Sequence, residues 1–253
     1  MLKLLPTISL IAGISFCYAT PTQAFLFTDD FSSGINSYWW TSTANGNSID
    51  ASGGKVTMEQ KEGAGGNGTG ISFKFSVTGN FTAEVDYTIN GLILNGERTG
   101  IVSNLGAVER MQWETQGGAT YGSGIQLYLT HFLTEGVAIG SETSDTSGKL
   151  QFSRSDTTIS GSFWNGTNWQ LIHSYNNVAN TADTPISLSI WPGTWSATNG
   201  GTKVSWDNFY LNAPTMADPE GPGQNPVPEP ATMLLFGTGL AGLAAARRRK
   251  KSC

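Results

Sequence analysis

The clearest candidate for acid–base chemistry is a pair of carboxylates two residues apart, Glu84 and Asp86. In a β-strand such residues lie on one face, roughly 6–7 Å apart, because each residue rises about 3.3 Å. Glycosidases use two carboxyl groups, one as the acid and the other as the base or nucleophile. However, both residues alternate with an apolar series that ends at Ile89, which is typical of an ordinary strand with one solvated face. We favour that interpretation and predict no catalytic residue.

A second candidate is a calcium site built from acidic residues at the two ends of the folded segment. Asp29 and Asp30 stand near its beginning, and Asp207 stands near its end. Ca²⁺ takes about six to eight oxygen ligands, of which carboxylates supply a part. If the first and last strands lie together, Asp30 and Asp207 predict a structural calcium site. The alternative is that Asp30 caps a turn and Asp207 faces solvent.

Tryptophan is a third candidate, because eight indole rings are present and amphipathic aromatic rings recur at recognition surfaces. Trp164 and Trp169 flank a predicted hairpin, where cross-strand packing explains them. The consecutive pair at 39–40 can place only one ring in the core of an extended segment. Trp191 and Trp195 bracket Pro-Gly-Thr in a predicted loop, and they are our candidate glycan-binding pair.

Sequence motifs of the common enzyme classes are absent. The chain contains no Gly-x-Ser-x-Gly, His-Glu-x-x-His, phosphate-loop or dinucleotide fingerprint. His131 and His173 have no ligand pattern near them. These observations favour a protein that is not an enzyme.

The elements that must position these residues are strands, because apolar residues recur with a period of two. The alternation is strongest at 71–77, 81–89, 125–129 and 186–190. Further strands are predicted near 55–60, 98–103, 110–115, 149–154, 157–164, 169–174 and 203–211. No window within the segment shows a convincing helical stripe.

Turn chemistry supports the same fold class. Asn165-Gly166 lies between two aromatic residues, a strong hairpin signal, and 154–157 is a plausible tight turn. About a dozen short strands in roughly 190 residues predict an all-β fold, a two-sheet antiparallel sandwich of jelly-roll type over residues 25–213.

Short motifs along this segment resemble the concanavalin A-like lectin/glucanase (laminin-G-like) sandwich. They are TDDFS at 28–32, GKLQFSR at 148–154, FWNGTNW at 163–169 and VSWDNFYL at 204–211. The resemblance implies that the first and last strands lie side by side. One glucanase group of this type carries Glu-x-Asp-x-x-Glu on a strand, but Ile89 stands where the third acid would be.

The net charge of the folded segment restricts the classes of ligand that it is expected to bind. Residues 25–213 contain 16 acidic and 8 basic residues, a net of −8, whereas the whole chain has −5. Nucleic acids and anionic polymers are bound by clustered Lys and Arg, so an acidic domain favours neutral glycans or divalent cations. Cys17 and Cys253 lie outside this segment, which therefore has no disulfide.

The N-terminus has the layout of a secretory signal peptide, residues 1–24, with a basic start, an apolar stretch and a small-residue end. We predict a signal helix that signal peptidase removes after Ala24, with Ala19 as the second choice. Cys17 raises a lipoprotein alternative, against which the bulky Phe16 argues.

The C-terminus combines a stiff turn, an apolar span and a cationic end. The turn consists of Val227, Pro228, Glu229 and Pro230. The uncharged residues 231–246 span roughly 24 Å as a helix, short of the bilayer core of about 30 Å. The cationic end consists of Arg247, Arg248, Arg249, Lys250 and Lys251. The pattern predicts a transmembrane helix with its C-terminus in the cytoplasm and the globular part outside.

This tail, residues 227–253, resembles the sorting signal of PEP-CTERM proteins, the exosortase substrates of bacterial envelopes. The resemblance implies export, a provisional membrane anchor and cleavage by an exosortase, after a linker at 214–226. We predict a cell-surface or extracellular-matrix protein that is not an enzyme, with extracellular polysaccharide as its expected ligand and no nucleic acid partner. The alternatives are a glycoside hydrolase or lyase that uses Glu84 and Asp86, and a purely structural surface protein.

Overall fold

The structure is a computed structural model that describes residues 25–43, 46–60, 69–90, 96–105, 107–116, 125–176, 186–194 and 203–217. Within these ranges all regular secondary structure is β-strand. In chain order the strands are β1 (Phe25–Asp29), β2 (Trp39–Ser42), β3 (Ser48–Asp50), β4 (Val56–Glu59), β5 (Gly70–Thr78), β6 (Phe81–Ile89), β7 (Glu97–Leu105), β8 (Ala107–Gln116), β9 (Ile125–Phe132), β10 (Val137–Glu142), β11 (Ser147–Ser155), β12 (Thr158–Trp164), β13 (Trp169–Asn176), β14 (Ile186–Thr194), β15 (Lys203–Ala213) and β16 (Thr215–Ala217). The described ranges contain no helix that could cross a membrane.

The strands form two antiparallel sheets of eight. Sheet A has the order β13-β12-β11-β6-β15-β4-β3, with β1 also paired to β15. Sheet B has the order β10-β9-β8-β7-β14-β5-β16, with β2 also paired to β5. Buried apolar residues of both sheets belong to one core. The predicted all-β, two-sheet antiparallel sandwich is therefore confirmed, and the predicted signal and transmembrane helices lie outside the described residues.

Strand β6 shows why the period of two fixes the fold. Its residues at 81, 83, 85, 87 and 89 are buried, whereas Glu84 and Asp86 between them are half-buried and Thr88 is exposed. Burial of the apolar face supplies the driving force, at about 25 cal/mol per Å² of apolar surface. The predicted alternation and the solvated face that carries the two carboxylates are both found here.

The two ends of the described chain meet at strand β15. Strand β1 pairs with it so that Phe25 faces Ala213 and Asp29 faces Phe209. The adjacency of first and last strands, which the motifs at 28–32 and 204–211 imply, is thus observed. Around this junction the rings of Phe27, Trp39 and Phe209 pack in tilted and edge-on contacts that suit aromatic pairs.

The two predicted turns join strands of sheet A. Between Trp164 and Trp169, Gly166 has φ +92°. The side-chain oxygen of Asn165 accepts hydrogen bonds from the amides of Thr167 and Asn168. The two indoles pack edge-on at 5.5 Å across the hairpin. The second turn, between β11 and β12, has Asp156 at φ +53°. Asp tolerates this left-handed conformation better than most residues.

The structure differs from the sequence-based description in three places. Residues 215–217 pair with β5, and Met216 is buried, so the linker predicted at 214–226 begins too early. The segment at 191–194, predicted as a loop, continues strand β14, because Pro192 pairs with Thr99 without needing to donate to the ladder. Finally, β1, β2, β3 and β10 were not predicted, since each is short or lacks a regular alternation.

Candidate functional site

The outer face of sheet B, the face turned away from the core, carries an unusual set of polar residues. Cα partners of an antiparallel sheet share a face. Ile101, Met111 and Ile190 point into the core, so the residues that alternate with them point outward. We call the outward cluster on β7, β8 and β14 the Trp191 site. It consists of Arg98, Arg110, Gln112, Glu114 and Trp191.

Two guanidinium groups contact the ring of Trp191. The Cζ atom of Arg98 lies 5.1 Å from the centre of its ring, and that of Arg110 lies 5.3 Å from it. Cation–π contacts at such distances are worth about 0.5–2 kcal/mol, more where water is excluded. The indole therefore offsets part of the repulsion between two neighbouring cations.

Gly100 brings the cluster together. It pairs with Trp191 on one side and with Gln112 on the other. A Cβ atom at this position would lie 2.3 Å from the carbonyl oxygen of Met111. Because position 100 has no side chain, residues from three strands can converge around one point of the face.

Glu114 carries the cluster's negative charge, and its ionisation is suppressed. Burial raises the pKa of its carboxyl to about 7, although the cations Arg98 and Arg110 and a hydrogen bond from Gln112 Nε2 act in the opposite direction. Next to it, burial and the two arginines lower the pKa of His131, which pairs with Arg110 in the sheet. At neutral pH the positive charge of the two arginines therefore exceeds the negative charge of Glu114.

Several buried polar atoms of the site have no hydrogen-bond partner within the structure as described. They are Nε1 of Trp191, Nε of Arg98, Nε of Arg110 and Oε1 of Gln112. Gln112 is fully buried, whereas Trp191, Arg98 and Arg110 are half-buried. An unsatisfied buried donor or acceptor costs about 1–3 kcal/mol, so these atoms call for a partner, such as a bound water molecule or a ligand.

The predicted pair Glu84 and Asp86 lies on the opposite side of the molecule, on the outer face of sheet A. Glu84 accepts a hydrogen bond of 2.9 Å from Nε2 of Gln151. Asp86 forms an ion pair of 2.7 Å with Lys149 and accepts a bond of 3.0 Å from Nδ2 of Asn208. Both carboxylates are thus engaged by neighbouring side chains of the sheet.

The predicted calcium ligands and the neighbouring Asp29 have different surroundings. Asp29 is buried and accepts bonds from the Phe31 amide, Asn36 Nδ2 and Trp39 Nε1, which gives it a structural role. Asp30 is exposed and caps a turn, because its carboxylate accepts the Ser32 amide, which lowers its pKa. Asp207 pairs with Asp86 on the outer face of sheet A.

No group of three or more His, Cys, Asp or Glu residues able to hold a metal occurs among the described residues. Calcium binding by Asp30 and Asp207 stays a prediction. A melting temperature that rises with calcium and falls with chelator would support it.

Of the predicted glycan-binding pair, Trp191 lies at the centre of the site, and Trp195 lies outside the described residues. The consecutive pair behaves as expected, since Trp39 is buried and Trp40 is 45% exposed. Sequence reasoning missed Arg98, Arg110, Gln112 and Glu114. A signal was present, because the polar residues at 110, 112 and 114 alternate with Met111 and Trp113.

The tail of the chain can be compared with known families. Residues 226–250 match the PEP-CTERM protein-sorting motif. This confirms the resemblance of the tail, and it implies that the protein is exported and processed by an exosortase. The motif itself lies outside the described residues. No curated protein matches the chain by sequence.

Solved structures similar to this chain share its fold. A CBM2 module of the evolved Dit of Lactobacillus casei BL23 phage J-1 has a TM-score of 0.53 at 9% identity, over 75% of this chain and 96% of that one. A LamA variant of Z. galactanivorans, solved with laminaritriose and laminaritetraose, has a TM-score of 0.50 at 11% identity, over 74% and 97%. The GH43B protein of the Bacteroides ovatus xyloglucan locus (PUL) has 0.54 at 11%, over 74% and 39%.

These similarities support the concanavalin A-like sandwich. Because the identities are low, they show the fold alone. The chain spans only 39% of the length of the GH43B protein, so that comparison concerns one part of a larger chain.

Proposed function

We propose that this exported protein binds polysaccharide outside the cell through the Trp191 site and that it is not an enzyme. The supporting observation is the convergence of unpaired polar atoms around a half-buried indole on an otherwise regular sheet face. Sugar hydroxyl groups can donate and accept, so one saccharide could satisfy both the N–H donors and the Gln112 oxygen. Ligand sites commonly combine aromatic side chains with a few precisely placed polar groups.

The fold and the sorting motif support the same proposal from outside the site. Solved structures with this sandwich include a module titled as CBM2 and a protein in complex with laminari-oligosaccharides. The PEP-CTERM motif implies export, which brings the sandwich into contact with extracellular polymers. We accordingly propose that the mature protein acts at the cell surface or in the extracellular matrix.

A binding experiment tests the proposal. The full-length protein, purified in detergent, is screened against a panel of neutral and acidic soluble polysaccharides. Trp191→Ala should weaken binding by roughly tenfold or more, because it removes the central anchor. Trp169→Ala, in the hairpin of sheet A, is the matched control and should bind like the parent protein. Equal loss in both variants, or no loss in Trp191→Ala, would contradict the assignment of the site.

Cleavage of the bound glycan is a second candidate function, and one observation favours it. A carboxyl group whose pKa is about 7 exchanges protons near neutral pH, and such groups occur at catalytic sites. Glu114→Gln is the test, assayed for reducing ends and unsaturated products. If the parent protein releases products and this variant binds glycan without releasing them, the protein is an enzyme and Glu114 takes part in the reaction.

A further inference from the structure

We infer that the Trp191 site recognises an anionic sugar residue, one that carries a carboxylate or a sulfate. The inference rests on the proposed function and adds the chemical class of the ligand. The acidic composition of the whole segment led us to expect neutral glycans or divalent cations. The charges that line the binding site are a better guide to its ligand than the net charge of the segment.

The unpaired atoms are the first argument. Three of the four are N–H donors, namely Nε1 of Trp191 and the Nε atoms of Arg98 and Arg110, and only Oε1 of Gln112 is an acceptor. The donors of the guanidinium groups and the indole cannot act as acceptors. A ligand that completes the site must therefore bring mainly acceptor oxygens. A carboxylate or sulfate has acceptor oxygens alone, whereas each neutral hydroxyl brings a hydrogen as well.

The charges are the second argument. The two guanidinium groups contact one indole, so each Cζ atom lies within about 10.4 Å of the other, the sum of their distances to the ring centre. At such a separation in a half-buried site, like charges repel appreciably. In agreement with this, burial and the charge of Arg110 lower the pKa of Arg98, which Glu114 raises only in part. An anion between or beside the two groups would relieve this repulsion.

Among the described residues, the other charged groups of this outer face supply only a partial negative charge. Glu114 on β8 interacts with both arginines, but burial raises its pKa to about 7, so it is only partly ionised at neutral pH. On β9, His131 has a lowered pKa and adds no negative charge. Strand β10 contributes Glu142, which is exposed and pairs with Leu127, itself the partner of Glu114. On the other side, β5 contributes the cation Lys74 at an outward position.

Arginine geometry points to the same class of ligand. A guanidinium presents its N–H groups as a planar fork that matches carboxylate and sulfate oxygens in pairs. Sugar polymers with uronate or sulfate groups would place such oxygens beside ring hydroxyls that can reach Gln112. The site thus has a partner for both the charged and the neutral part of one acidic sugar.

The test compares polymers that differ only in charge. Binding of the full-length protein to polygalacturonate is measured beside its carboxyl-reduced form, and binding to a sulfated galactan beside its desulfated form. We expect one acidic polymer to bind and its neutral counterpart to lose roughly ten- to hundredfold in affinity, the range for hydrogen bonds to charged groups. Arg98→Gln and Arg110→Gln should cause a similar loss, whereas Lys203→Gln, which removes the same charge from sheet A, should not.

The possible results separate the proposed glycan binding from the proposed recognition of an anionic sugar. Equal affinity for charged and neutral forms, lost in Trp191→Ala, would overturn the inference and leave glycan binding in place. If Arg98→Gln and Arg110→Gln still prefer acidic polymers, the anionic group is not bound by these two arginines, and the inference is wrong. Binding to no polymer of the panel would overturn both. Melting temperatures of all variants separate loss of the site from loss of the fold.

Discussion

The two outer faces of the sandwich carry charge in opposite ways. On the outer face of sheet A, Asp86 forms an ion pair with Lys149 at 2.7 Å, and both side chains are partly exposed. On sheet B the arginines are half-buried around Trp191, and their Nε donors have no partner in the described structure. Charged residues by themselves therefore do not mark a site. A single unpaired donor does not either, since Trp206 Nε1 on sheet A is another; what distinguishes sheet B is that several unpaired polar atoms and two cations converge on one indole.

The largest expected effect on stability is that of a substitution at Gly100, where the strands of sheet B approach closely. Gly100→Ala should lower the free energy of unfolding by about 3 kcal/mol or more, because its Cβ would lie 2.3 Å from a backbone carbonyl oxygen of the neighbouring strand. Chemical denaturation measures the change. Ser153→Ala, in the middle of β11 on sheet A, is a control that places alanine in another strand by removing one oxygen atom, and little effect is expected. A Gly100→Ala protein as stable as its parent would show that the strands need no close approach here.

The second expected effect is a pH dependence of protein stability, which arises because Glu114 is buried. Its pKa is about 7 in the folded protein and 4.5 ordinarily, so the folded state holds this proton more tightly than the unfolded chain does. The resulting stability is complete below pH 4.5 and is lost as the pH rises to about 7. At about 1.4 kcal/mol per pH unit the loss amounts to roughly 3 kcal/mol.

Glu114→Gln should remove this component while keeping an acceptor for Gln112. The variant should be more stable than the parent protein above pH 7 by up to about 3 kcal/mol and similar to it near pH 4.5. Unfolding curves at a series of pH values measure the difference. Glu84→Gln, which replaces a half-buried carboxylate of sheet A in the same way, is the matched control. Parallel curves for the parent and Glu114→Gln would mean that Glu114 titrates like a solvated residue.

The smaller effects belong to sheet A, and the first of them is conformational. Asn208 has φ +49° at a bulge of β15 and donates a hydrogen bond to Asp86. Asn208→Ala should cost about 1–2 kcal/mol, because a left-handed backbone is strained for residues with an ordinary Cβ. Asn208→Gly loses the same hydrogen bond without that strain and should be the more stable of the two variants. The opposite order would mean that the side-chain bond outweighs the backbone.

Much of this fold can be predicted from the sequence, because the relevant signals are local. The alternation from Phe81 to Ile89 reports one buried face, and Asn165-Gly166 reports a hairpin. Strand β10 escapes prediction since its apolar and polar residues do not alternate, and β16 escapes because three residues carry no period.

The candidate site is harder to predict, because it depends on which strands become neighbours. Trp191 stands out in the sequence as an aromatic residue beside Pro192. Its relation to Arg98 and Arg110 arises only when β14 pairs with β7 and β7 pairs with β8. In addition, buried polar residues such as Thr99 and Ser103 on the inner side of β7 blur the alternation there. The sequence shows the residue types, and the sheet order supplies their proximity.

The smallest expected effect is that of the ion pair on sheet A. It tests whether the outer face of sheet A, unlike that of sheet B, has no binding role. The side chains of Lys149 and Asp86 are 45% and 27% exposed, and exposed pairs contribute about 0.2–1 kcal/mol. A double-mutant cycle with Asp86→Asn and Lys149→Gln should give a coupling energy in that range, reduced further by salt. It should leave glycan binding unchanged. A coupling of several kcal/mol, or a loss of binding in Asp86→Asn, would mean that the outer face of sheet A has a function of its own and that the predicted pair Glu84 and Asp86 is part of it.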